Sequence, residues 1–230
     1  MTDLPYIKAN YDELKYELED IASKCGVRTP TLVAVTKSGS DEELCELVRA
    51  GAVNIGENRP QELRRRADIL YGLGYSPILH EIGTLQRNKV KLIIKDVALI
   101  HSLDSLRLAD EIEKQAAAIG RRVPVLIEIN SAKEENKSGV MPDGAEALLC
   151  EVLKREHLEV RGLMTMGPAE CAECELRGYF RETKKLFDLF NDRYGFGTDT
   201  TLSMGMSDSY RVAIEEGSTL VRVGRRLFRK

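Results

Sequence analysis

Eight apolar runs of strand length recur along this 230-residue chain, and each but the last gives way to an amphipathic stretch of helix length. No other feature restricts the fold as tightly. The apolar runs are 31–37, 52–55, 77–82, 97–101, 123–130, 158–165, 201–204 and 218–224. Each is short, rich in β-branched and aliphatic residues and bounded by turn formers, the pattern of strands buried on both faces. An opening helix from about Tyr6 to Lys24 precedes the first run. Later helices start near Ser40, before Arg64, near Gln86, Asp104 and Pro142, around Arg177 and near Asp208. Ser40 followed by Glu43 reads as a capping box, and Ser102 or Asp104 as the cap of the helix after 97–101. Such alternation implies parallel strands joined by right-handed crossovers. Eight strands in about 200 residues fit a closed (β/α)8 TIM barrel better than a doubly wound open sheet. No Gly/Ser/Pro-rich linker divides the chain. The expectation is one domain over residues 1–230, an α/β barrel with an extra N-terminal helix.

Composition excludes several roles. Lys and Arg number 34 against 37 Asp and Glu, so no basic excess suits nucleic acid. Arg64-Arg65-Arg66 reads as a solvated helix face. No stretch reaches 18 apolar residues, so nothing is expected to span a membrane. Residues 1–5 lack a basic region followed by an apolar one, so the chain reads as cytoplasmic. Five scattered cysteines argue against a disulfide framework. Cys171-Ala-Glu-Cys174 lacks a second ligand pair, and His80, His101 and His157 lie far apart in sequence. A loop entering a helix is therefore expected there, with neither a zinc site nor a redox pair.

In such a barrel the chemistry sits at the C-terminal ends of the strands. The first run ends in Lys37. A lysine closing a buried strand is expected to be partly desolvated, which lowers its pKa and exposes the free amine. A free amine in a pocket forms a Schiff base with an aldehyde. The seventh and eighth runs end in Ser203-Met-Gly-Met-Ser-Asp208 and Arg222-Val-Gly-Arg225. Loops after strands seven and eight are the usual phosphate site of these barrels, where glycines let backbone N–H groups approach the anion. An imine-forming lysine beside a phosphate cradle points to an aldehyde that carries a phosphate. Pyridoxal 5′-phosphate (PLP) is the obvious candidate.

Further segments carry a resemblance. Ala34-Val-Thr-Lys37, Gly56-Glu-Asn58, His80 with Ile82-Gly83, Leu85-Gln86 with Asn88-Lys89, His101-Ser102 with Asp104-Ser105, and Arg161-Gly-Leu-Met-Thr165 precede the two phosphate strings. Together they resemble the PLP homeostasis protein family (YggS/PROSC type), related to the N-terminal barrel domain of alanine racemase. The match runs in family order over nearly the whole chain. It implies that Lys37 carries PLP as an internal aldimine and that Asn58 lines the pocket. It implies that Ser207, Gly224 and Arg225 meet the phosphate, with Ser203 a weaker candidate, and that Arg222 faces the pyridine nitrogen. An arginine can only donate, so it favours an unprotonated ring nitrogen and weakens PLP as an electron sink. Two departures stand out. Gly224 is followed by Arg225 where the family has threonine, and Phe228-Arg-Lys230 replaces a common glycine. The guanidinium could take the lost hydroxyl's place at the phosphate.

The resemblance implies a non-catalytic protein that stores, delivers or buffers PLP inside the cell, a monomer with PLP-dependent apoenzymes as possible partners. The alternative is a PLP-dependent amino-acid racemase. Racemisation needs an acid/base group on each face of the imine. In alanine racemase the second is a tyrosine near a β-rich second domain of the dimer partner. This chain ends about where that domain would begin, and Tyr210 is the nearby tyrosine.

Overall fold

The structure is a computed structural model that describes residues 4–134, 136–168 and 170–230. The expectation drawn from the N-terminus falls partly on residues 1–3, outside the described residues. Eight strands, β1 (Thr31–Val35), β2 (Asn54–Glu57), β3 (Ile78–Glu81), β4 (Val97–Leu103), β5 (Val123–Ile129), β6 (Leu158–Thr165), β7 (Thr201–Ser203) and β8 (Leu220–Val223), close into a barrel in chain order. Every pair is parallel, and β8 closes on β1 with Val33 opposite Arg222. The open-sheet alternative is excluded.

Helices α1 (Pro5–Cys25), α2 (Asp41–Arg49), α3 (Pro60–Gly72), α4 (Val90–Ile93), α5 (Leu106–Ala117), α6 (Pro142–Val152), α7 (Glu173–Tyr194) and α8 (Tyr210–Glu215) surround the barrel. The extra helix α1 has a structural purpose. The chain after β8 forms only a turn, closed by Leu227 N–H donating to Gly224 O at 2.8 Å. That leaves a gap in the helical ring, and α1 packs against both α8 and α2. Its buried residues Ile7, Tyr11, Leu14, Leu18 and Ile21 recur at three- and four-residue spacing, one apolar stripe along one face.

Two apolar layers result. Val33, Leu99, Leu126, Met164 and Leu220 fill the middle of the barrel, and the larger core lies between strands and helices. Side chains alternate along a strand. Arg222, two residues after Leu220, therefore points into the barrel above this plug.

Local chemistry explains most boundaries. The Ser40–Glu43 capping box forms in both directions, with Glu43 N–H donating to Ser40 Oγ at 3.2 Å and Ser40 N–H to Glu43 Oε2 at 2.7 Å. Three expectations fail. The helix expected from Gln86 is a 3-10 turn, Arg87–Lys89, running into the single turn of α4, because β4 begins at Val97. The cap position of α5 is Ser105, not Ser102 or Asp104, and its side chain makes no capping bond. Helix α8 starts at Tyr210, since residues 206–209 form a turn in which Ser209 N–H donates to Met206 O at 2.9 Å.

Candidate functional site

Strand β1 stops at Val35, Thr36 is buried, and Lys37 stands exposed in the β1–α2 loop. The sequence expectation of a desolvated lysine is corrected: burial ends one residue earlier. The amine opens into a cleft of about 470 Å³ at the C-terminal mouth of the barrel. Asn58, Ser207, Arg222, Gly224 and Arg225 line the same cleft, so six of the seven expected residues meet there. Ser203 does not line it. It is fully buried beneath, where its hydroxyl accepts from Arg222 Nη1.

The loops after β7 and β8 form one end. Gly224 N–H donates to Ser207 Oγ at 3.3 Å, tying the two loops together. A Cβ on Gly224 would stand 2.8 Å from Val35 O and 3.1 Å from Val35 Cβ. Its φ lies outside the left-handed region, so the glycine is required by close approach of β8 to β1 and not by an unusual φ. Gly205 differs: its φ is +96° and a Cβ would stand 2.6 Å from Ala213 Cβ. It turns the chain from β7 towards Ser207. Arg225 is exposed and paired with Asp208, a bridge between the two loops at the cleft rim.

Arg222, 3% exposed, forms the floor. Its Nη2 donates to Thr165 O at 3.0 Å. Burial pushes its pKa down to about 10, with the charge of Glu128 acting the other way, and the group stays a cation at neutral pH. A buried chain of hydrogen bonds supports it. Ser203 Oγ lies 2.9 Å from His101 Nδ1, His101 Nε2 3.0 Å from His80 Nδ1, and His80 Nε2 3.0 Å from Asn54 Oδ1. Burial lowers the His80 pKa to about 4 and that of His101 well below its ordinary value, so both rings are neutral. One arrangement then satisfies every atom. Ser203 donates to His101, His101 to His80, and His80 to Asn54, each ring protonated on Nε2. The histidines lie 21 residues apart in sequence, and strand pairing brings them together.

A second buried network stands behind the mouth loops. Thr36 Oγ1 donates to Glu57 Oε1 at 2.6 Å, with Arg66 Nε 3.1 Å from the same oxygen. Arg66 Nη2 donates to Gly39 O at 2.7 Å, and Gly83 N–H to Glu81 Oε1 at 3.3 Å. Glu57 and Glu81 are register partners on β2 and β3. Burial, with Glu57 adding a repulsion, raises the Glu81 carboxyl to about 8. These residues hold the loops that carry Lys37, Asn58 and Gly83. The expectation that Arg64-Arg65-Arg66 forms a solvated helix face fails at Arg66, which is buried against Glu57, and acidic residues closing apolar strands were the visible signal of this network.

Tyr210 faces away from the cleft. Its hydroxyl accepts from Arg226 and bonds to Glu17 of α1, and burial raises its pKa to about 12. The cleft itself suits PLP: an exposed amine, a hydroxyl and glycine backbone in the loops after β7 and β8, and a cationic donor-only floor.

Comparison with known proteins gives a consistent picture. The family model for the alanine racemase N-terminal domain matches residues 9–229. A pyridoxal phosphate homeostasis protein of Aquifex aeolicus is 39% identical over 222 residues, 94% of this chain and 96% of that one. A crystal structure of an unknown protein from Bifidobacterium adolescentis superposes with a TM-score of 0.91 at 33% identity, covering 99% of this chain and 98% of that one. PipY of Synechococcus elongatus with PLP bound superposes with a TM-score of 0.84 at 28% identity, covering 97% and 100%.

Proposed function

This chain belongs to the alanine racemase N-terminal domain family, and from that premise we propose that it is a non-catalytic PLP-binding protein that stores, buffers or delivers the cofactor inside the cell. The observation that carries this reading is the exposed Lys37 amine sharing one cleft with the β7 and β8 phosphate loops over the buried Arg222. The amine and the PLP aldehyde would join as a Schiff base with loss of water. Ser207, the Gly224 backbone and Arg225 would hold the phosphate, Asn58 would line the ring, and Arg222 would donate to the pyridine nitrogen. Ser203 acts on the cofactor only through Arg222. The name of the Aquifex protein and the PLP in PipY support the cofactor assignment.

When bound, PLP supplies an electrophilic imine carbon and, in enzymes, an electron sink. A donor-only arginine at the ring nitrogen keeps that sink weak. The racemase alternative needs an acid/base group opposite Lys37, and Tyr210 is engaged with Glu17 and Arg226 instead. No helix among the described residues is long and apolar enough to cross a membrane. We read the protein as a cytoplasmic monomer that exchanges PLP with apoenzymes. The test is the visible spectrum of the protein mixed with PLP. An imine band removed by borohydride and absent in Lys37→Ala is expected, and a full band in that variant would overturn the assignment.

A further inference from the structure

A second cavity of about 220 Å³ adjoins the Lys37 cleft, with Met166 and Met206 walling both. Its floor is Glu128, which points into the barrel from β5 and is 2% exposed. Glu128 Oε1 accepts from Ser138 Oγ at 2.8 Å. Its other oxygen, Oε2, has no hydrogen-bond partner among the described residues. A buried carboxylate oxygen left without a donor is costly, and the strongest remedy is a charge-assisted bond from a cation. Arg222 does not supply it, since the two groups form no ion pair, although the guanidinium is near enough to act on the Glu128 carboxyl.

The cavity's charge favours a cation as well. Among the described residues that line it, Glu128 and Glu134 stand against Lys137. Its wall is held in shape, with Asn130 Nδ2 donating to Glu134 O at 2.8 Å and Glu134 N–H donating to Asn130 Oδ1 at 3.2 Å. The volume is that of roughly seven waters at about 30 Å³ each, room for a small molecule only.

We propose that this cavity binds the ammonium group of a small primary amine, held by the free oxygen of Glu128 beside the Lys37 cleft. The inference rests on the reading of that cleft as the PLP site. Glu128 thereby holds the ammonium next to the group that Lys37 carries, which makes it a receptor for the amines that would draw the cofactor off the protein.

The test uses two stable probes and the cofactor-free protein. N-(5′-phosphopyridoxyl)ethanolamine carries a secondary amine and reaches into both cavities, while pyridoxine 5′-phosphate fills only the Lys37 cleft. Neither forms a bond with Lys37. Calorimetry should show the ethanolamine adduct binding at least tenfold tighter, with that advantage lost in Glu128→Gln. Equal affinities in the unmodified protein would overturn the subsite, and so would an advantage that persists in Glu128→Gln. The first comparison stands alone if the variant does not fold. Failure of pyridoxine 5′-phosphate to bind would overturn the PLP reading itself, and the subsite with it.

Discussion

Lys37 and Gly224 do opposite things with solvent and space. Lys37 is exposed and makes no ion pair or hydrogen bond with the described residues, so its removal takes away a reactive amine and little else. Lys37→Ala should change stability by no more than about 0.5 kcal/mol, as at ordinary surface positions, while abolishing the imine band. Denaturant melts and absorbance measured on one preparation check both halves. A Cβ at Gly224 would run into Val35. Gly224→Val must push the Val35 carbonyl away, which shifts the loop that donates to Ser207. We expect PLP affinity to fall at least tenfold, about 1.4 kcal/mol, with an overpacking cost of about 1–3 kcal/mol in stability. Titration with PLP followed by fluorescence reads the first effect, and unchanged affinity would remove Gly224 from the cradle. At this scale the sequence was informative where a residue type has one chemistry. A lysine closing a strand and a glycine after another were legible. The reason for the glycine was not, because close approach of β8 to β1 is a fact of barrel closure that no local pattern contains.

Two strand ends carry a buried pair of carboxylates. Glu57 and Glu81 close β2 and β3 side by side, both buried. With the folded Glu81 carboxyl at about 8 against an ordinary 4.5, the folded chain keeps a proton that the unfolded chain has released across that window. Stability contributed by this group is therefore present below the unfolded value and lost as pH rises towards 8. Glu81→Gln has no such proton to lose. The stability difference between the variant and the parent should move in the variant's favour by roughly 1 kcal/mol per pH unit from pH 5 to pH 8. Urea melts at those pH values give the answer, and a constant difference would refute the buried-carboxyl account. Strand periodicity exposed β5 and β6 almost to the residue, because both are long, β5 nearly all apolar and β6 alternating before its apolar end. It misjudged α4 and α8, four and six residues long, because one or two turns do not establish a period. It also left the His80–His101 pair hidden, since register across β3 and β4 decides which distant residues share the barrel interior.

The whole molecule is a ring of seven crossover helices completed by α1, with one mouth where the loops after all eight strands converge. That closure decides what the mouth can do. α1 seals the gap beside α8 and draws Tyr210 towards Glu17, so the tyrosine that follows the β7 loop serves the outer layer. Beneath the mouth, Arg222 is fixed between Thr165 and Ser203 as a cation that only donates. The cleft therefore offers the Lys37 amine, the loops after β7 and β8 and a buried cation, and no tyrosine among the described residues lines it. Loss of one positioned acid/base group costs about 10²–10⁴-fold in rate, and an unprotonated ring nitrogen adds to that. Incubation of the PLP-loaded protein with L-alanine in D₂O should accordingly give Cα deuterium incorporation far below the roughly 1–10³ s⁻¹ of ordinary enzymes. Mass spectrometry of the recovered alanine measures it. Rapid incorporation that disappears in Lys37→Ala would show that this barrel is a catalyst, and that the second proton is moved by a group other than Tyr210.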